Sequence, residues 1–89
     1  MTELQKQLWA AHGGDFLERL EKLRTGPQYR LEDVFAADWE GLGDGTLRQN
    51  IGRAISAAFL EKHPDIDPTV FEQTVVNGTP NRMQYRRLK

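Results

Sequence analysis

The sequence contains no cysteine and only two histidines among its 89 residues. The absence of cysteine excludes disulfide bonds, thiolate metal sites and a cysteine nucleophile, and it is typical of proteins in a reducing cytoplasm. His12 and His63 each stand without a second ligand at a metal-binding spacing. No serine–histidine–aspartate set and no oriented pair of acids is present. We therefore expect a cytoplasmic, non-enzymatic protein that needs no metal or cofactor.

The sequence also lacks any apolar run close to the ~20 residues that span a bilayer, so we expect no membrane segment. Hydrophobic residues make up 38% and charged residues 28%, which is typical of a globular domain. A chain of this length forms one domain and buries only about 60–65% of its unfolded surface. One small core is therefore expected, without a deep cleft between lobes.

The net charge of −1 hides an asymmetry between the two halves of the chain. Residues 1–45 contain nine acids and five bases, whereas residues 46–89 contain four acids and seven bases. A basic C-terminal half can attract an anionic partner. The alternative is that these charges only keep the surface soluble.

The most regular pattern predicts a long amphipathic helix over residues 46–62. Its apolar residues recur at spacings of three and four and so share one face; they are Leu47, Ile51, Ala54, Ile55, Ala58 and Phe59. Thr46 and Gln49 form the pattern of a capping box at its start. We expect Ile51 and Phe59 to be buried.

Residues 1–26 are predicted to form an N-terminal helical extension. Thr2 and Gln5 match a capping box, Gly13-Gly14 is expected to interrupt or kink the helix, and Gly26-Pro27 is expected to stop it. The apolar stripe of this segment packs onto its own domain in one interpretation. In the other it forms a homodimer.

Residues 27–89 are predicted to form the main domain. Residues 28–31 should be extended, Glu32-Asp33 should open a short helix, and Asp38 should cap a further turn over residues 39–42. A glycine-rich corner then leads into the long helix, which is the outline of a helix-turn-helix.

Two strands should follow the long helix. Residues 70–76 are rich in β-branched side chains, Asn77-Gly78 is a hairpin turn signal, and residues 83–88 alternate as the returning strand. Pro80 lies close to the turn and favours a loop longer than two residues.

This order of elements resembles a winged helix, and residues 23–88 resemble a family of small bacterial domains of unknown function. The resemblance is carried by residues 29–35, by Trp39 and Leu42, by Ile51-Gly52-Arg53 with Phe59, and by Asn81 and Tyr85. It implies an α+β, winged-helix-like fold and, by analogy alone, DNA binding.

The candidate nucleic-acid-binding residues lie on the polar face of the long helix and on the hairpin. Those on the helix are expected to reach base edges in the major groove; they are Arg48, Gln49, Gly52 and Arg53. Those on the hairpin are expected to neutralise phosphates; they are Arg82, Arg86 and Arg87. The alternative is that Gly52 admits a neighbouring element and that the helix arginines pair with acids of the N-terminal half.

The sequence therefore predicts a small binding module, with DNA-binding or regulatory function as the leading hypothesis. The alternative is a protein-interaction module, such as a phage- or plasmid-encoded factor that masks a host protein. Its working surface would then be the acidic half, with Glu32, Asp33 and Glu40.

Overall fold

The chain forms three α-helices and one three-stranded antiparallel sheet, in a computed structural model that describes residues 1–76 and 82–89 (the side chains of residues 76 and 82 excepted). The elements in chain order are α1 (Glu3–Glu21), β1 (Gln28–Tyr29), α2 (Leu31–Phe35), α3 (Gly45–Leu60), β2 (Phe71–Val76) and β3 (Arg82–Arg87). Two single 3₁₀ turns, Ala36–Asp38 and Glu40–Leu42, connect α2 to α3. The predicted α+β class is confirmed at this level. Of the described helices, none combines the length and the apolar character needed to cross a bilayer.

The first helix is continuous, so the interruption predicted at Gly13-Gly14 is wrong. Gly13 is small for another reason: a Cβ added to it would lie 2.5 Å from Cδ2 of the buried Trp9 indole. That indole donates a hydrogen bond from Nε1 to Oδ2 of Asp65 at 3.2 Å, and its ring lies 5.2 Å from that of His63. The glycine therefore lets a tryptophan lie flat along its own helix and reach the loop after α3.

The two ends of α1 differ in how well they were predicted. The Thr2–Gln5 capping box is confirmed, with the Gln5 N–H donating to Thr2 Oγ1 at 3.1 Å. The stop predicted at Gly26-Pro27 is wrong, because the helix ends at Glu21. Gly26 has φ 106° and donates its N–H to the Arg87 carbonyl at 3.0 Å, so it joins the chain to β3.

The capping residues of the middle segment also differ from those predicted. Asp44 rather than Thr46 caps α3: its Oδ1 accepts the Leu47 N–H at 2.8 Å. Asp38 does not cap a turn but accepts a hydrogen bond from Arg19 Nη2 at 2.7 Å. Asp33 lies in the first turn of α2, as expected, and accepts the Arg30 N–H at 3.0 Å.

The sheet has the strand order β1-β3-β2, with β3 in the middle. Tyr29 of β1 and Gln73 of β2 both lie opposite Tyr85 of β3. The predicted extended piece and both predicted hairpin strands are confirmed, with boundaries shifted by one or two residues. The turn predicted at Asn77-Gly78, together with Pro80 and Asn81, lies outside the described residues.

One hydrophobic core lies between α1, α3 and the sheet. The predicted face of α3 is confirmed for Ile51 and its buried neighbours Ala54, Ile55 and Ala58. Phe59 is only half-buried and Leu47 is exposed, so the apolar face is narrower than expected. The first helix contributes Trp9, Phe16 and Leu20 to the same core. Residues 1–26 thus pack onto their own domain, while a homodimer through them stays a prediction.

Candidate nucleic-acid interface

The polar face of α3 lines a continuous groove, here called the arginine groove. It consists of two adjoining concavities of about 540 and 350 Å³ that share Leu31, Gln49, Gly52 and Met83. Arg30, Trp39 and Arg48 lie at the first concavity, and Arg53, Ser56 and Tyr85 at the second. All four residues predicted on the helix therefore line one surface, formed with the start of α2 and with β3.

Three arginines give this groove its positive charge. Within the described residues, the side chains of Arg30, Arg48 and Arg53 form no salt bridge. Arg19 and Arg86, by contrast, both pair with carboxylates elsewhere in the chain. The alternative that the helix arginines pair with N-terminal acids thus finds no support in the described contacts. A guanidinium without an internal partner keeps all its donors for an external anion.

The side chain of Arg48 is positioned by an aromatic ring. Its guanidinium carbon lies 5.8 Å from the centroid of Trp39, within the range of a cation–π contact. Trp39 is itself packed against the core, with its ring 6.0 Å from that of Phe35. The Trp39 ring therefore holds Arg48 over the first concavity while leaving its N–H groups available.

The floor of the groove is uncharged. Leu31, Met83 and Gly52 line both concavities, and Tyr85 is only 2% exposed. Burial raises the pKa of the Tyr85 phenol well above its ordinary value, so this residue stays neutral at physiological pH. Glu32 is the acid that lines the groove among the described residues. The groove thus combines an apolar floor with a basic rim.

Gly52 supports both interpretations proposed from the sequence. A Cβ added there would lie 3.5 Å from Leu31 Cδ2, which is ordinary van der Waals contact. The glycine therefore does admit α2 close to α3, but alanine would fit as well. It also leaves the groove surface free of a side chain beside Gln49.

Gly52→Ala should therefore raise the free energy of unfolding by about 0.5–1 kcal/mol. Alanine has a higher helix propensity than glycine, and the new methyl group meets no clash. Urea unfolding followed by circular dichroism measures the change. A loss of stability would show that α2 packs closer to α3 than the 3.5 Å contact indicates.

The hairpin arginines are used differently from those of α3. Arg86 donates from Nε to Glu72 Oε2 at 2.9 Å, and Arg87 donates from Nη1 to the Leu23 carbonyl at 3.0 Å. Both side chains are half-buried, and the side chain of Arg82 lies outside the described part of the chain. The structure therefore does not bring Arg86 and Arg87 into the arginine groove, and their role as phosphate ligands stays a prediction.

Sequence reasoning missed Arg30 and Trp39 as parts of this surface. Arg30 was assigned only to an extended piece and Trp39 only to a short turn. Their place in the groove depends on how α2 and the 3₁₀ turns pack beside α3, and such long-range packing leaves no local signal. Comparison of the chain with protein-family models, with curated proteins and with solved structures finds no significant match.

Proposed function

We propose that this protein is a small non-enzymatic module that binds DNA through the arginine groove. The observation that carries the proposal is the set of three arginines, Arg30, Arg48 and Arg53, without a carboxylate partner in the described structure beside one apolar-floored groove. Phosphate contacts from arginine provide most of the affinity of such modules.

The arrangement of elements supports a winged-helix-like interpretation of the fold. A short helix, a glycine-containing connection and a longer helix precede the β2–β3 hairpin, and β1 pairs with the far side of β3. In this interpretation α3 is the recognition helix and the hairpin is the wing. Arg48 and Gln49 then lie in the first half of the recognition helix, where base contacts are usual.

The residues of the groove divide into two chemical roles. Arg48 can pair bidentately with guanine and Gln49 with adenine, so these two are assigned to base edges. Arg30 lies at the start of α2 on the groove's rim and is assigned to a phosphate. Arg53, one turn after Gln49, is exposed and can serve either role. Gly52 between them lets the duplex approach the helix backbone.

Fluorescence anisotropy with a labelled random duplex should show binding at low salt that weakens steeply as salt rises. Each phosphate neutralised by an arginine releases counterions, so log K falls with log salt by about 0.9 per contact. Arg30→Gln should reduce that slope by about one and weaken binding to all sequences alike. Arg48→Gln should in addition reduce discrimination between sequences, by about 1–3 kcal/mol at the base pair it contacts.

Two variants serve as controls. Arg24→Gln removes the same charge from an exposed arginine that lines neither concavity, and it should leave the slope nearly unchanged. Glu32→Gln removes the acid of the groove and should strengthen binding. Absence of binding at low salt would refute the proposal, as would equal losses for Arg24→Gln and Arg30→Gln.

The alternative function is the protein-interaction module, with the acidic half as its surface. Asp33 and Asp38 already accept internal hydrogen bonds, which leaves Glu32 and Glu40 as exposed acids of this segment. Under this alternative the duplex would not bind at any salt concentration. Charge reversal at Glu32 and Glu40 would then abolish partner capture, whereas substitution of Arg48 would not.

A further inference from the structure

The strand β2 forms an edge of the sheet, and its outer side pairs with no other described strand. The Leu88 N–H donates to the Val70 carbonyl at 2.6 Å, which makes these two residues a hydrogen-bonded pair of the β2–β3 ladder. Such pairs recur at every second residue of an antiparallel ladder. The backbone groups of Glu72 and Thr74 therefore face β3, and those of Gln73 and Val75 face the open edge.

A groove of about 440 Å³, here called the edge groove, runs beside this open edge. Its apolar lining includes Phe59, Leu60, Ile66 and Phe71, and Leu60 is 68% exposed. Phe71, Gln73 and Val75 share the sheet face of Tyr85, because residues opposite each other in a ladder point to the same side. A strand added at this edge would therefore place alternate side chains over the groove.

Two features of β2 indicate what kind of strand fits there. Oε1 of Gln73 is buried and has no hydrogen-bond partner among the described residues, although buried polar atoms are normally paired. Val75 is 50% exposed at the same edge. Glu72 is already neutralised by Arg86 at 2.8 Å, so this edge carries no unpaired charge that would repel an identical strand.

We propose that β2 pairs with β2 of a second copy of this chain, antiparallel and centred on Gln73. In this register the two Gln73 residues exchange backbone hydrogen bonds, and the side-chain amide of each can donate to the orphaned Oε1 of the other. Phe71 then lies opposite Val75 of the second copy, which covers both edge grooves with apolar side chains. The dimer joins two three-stranded sheets into one and is independent of the proposed DNA binding.

Sedimentation velocity across a range of protein concentrations tests this dimer. We expect reversible self-association with a dissociation constant below about 1 mM, the weak limit of specific association. Val75→Lys should weaken it at least tenfold, because two ammonium groups would then lie in the interface. Leu4→Lys is the matched control: Leu4 is 49% exposed on α1, the helix of the alternative homodimer, and its substitution should have no effect.

Hydrogen exchange of individual amides locates the interface. The amides of Gln73 and Val75 should exchange more slowly as the concentration rises, whereas the Thr74 amide, which faces β3, should be protected throughout. Gln73→Glu should abolish the dimer at neutral pH and restore it near pH 4, close to the ordinary pKa of glutamate. A monomer at all concentrations, or a dimer that Leu4→Lys disrupts and Val75→Lys does not, would overturn the proposal.

Discussion

Phe16→Ala should lower the free energy of unfolding by about 3–5 kcal/mol. Phe16 is fully buried at the centre of the aromatic cluster, with its ring centroid 5.0 Å from that of Tyr85, 6.1 Å from Phe35 and 6.2 Å from Phe59. These rings belong to α1, α2, α3 and β3, so the cavity left by alanine would loosen contacts with all four elements. A loss of this size is a large share of the stability of a small domain.

Urea unfolding followed by circular dichroism measures this loss. Leu4→Ala provides the control, because Leu4 is an exposed apolar residue on the same helix and its replacement should change stability by no more than about 0.5 kcal/mol. A loss below about 1 kcal/mol for Phe16→Ala would show that α1 is not part of the core.

Gly13→Ala and Gly14→Ala should have opposite effects on stability, although the two glycines are neighbours in the same helix. The Cβ of an alanine at position 13 would lie 2.5–2.7 Å from the Trp9 indole, whereas one at position 14 would meet nothing within 4 Å. We expect Gly13→Ala to cost about 1–3 kcal/mol as a case of overpacking. Gly14→Ala should instead add about 0.4–1 kcal/mol by restricting the unfolded chain.

A double-mutant cycle identifies the cause of this difference. In a Trp9→Leu background the indole is absent, so Gly13→Ala should lose most of its cost. Chemical denaturation with an unchanged m value gives the free energies. Equal effects of Gly13→Ala in both backgrounds would show that the clash with Trp9 does not determine the choice of glycine.

These two predictions concern a helix whose role the sequence described only in part. The apolar stripe of α1 and its capping box were readable, because both depend on residues within one or two turns of each other. That Phe16 lies at the centre of the core was not, because its neighbours come from residues up to 69 positions away. Gly13 was misinterpreted for a similar reason: the pattern of two glycines is the same whether it breaks a helix or accommodates an indole.

The candidate site shows the same division. The polar face of α3 follows from helical periodicity, so Arg48, Gln49, Gly52 and Arg53 could be grouped from the sequence. The groove that they line also needs Arg30 and Trp39, which join it only through the packing of α2 and the 3₁₀ turns. The internal contacts of Arg86 and Arg87 likewise depend on strand register and on the loop after α1.

The sequence by itself thus determined the helices, the strands, the α+β class and the basic face of α3, because periodicity and turn chemistry act between residues close in the chain. Competition between caps was decided by the structure, since Asp44 and Thr46 both suit the start of α3 and only Asp44 accepts the Leu47 N–H. The tertiary structure also decided which arginines lack a carboxylate partner among the described residues. Ion pairs such as Arg19–Asp38 and Arg86–Glu72 form between elements whose proximity exists only once the core has packed.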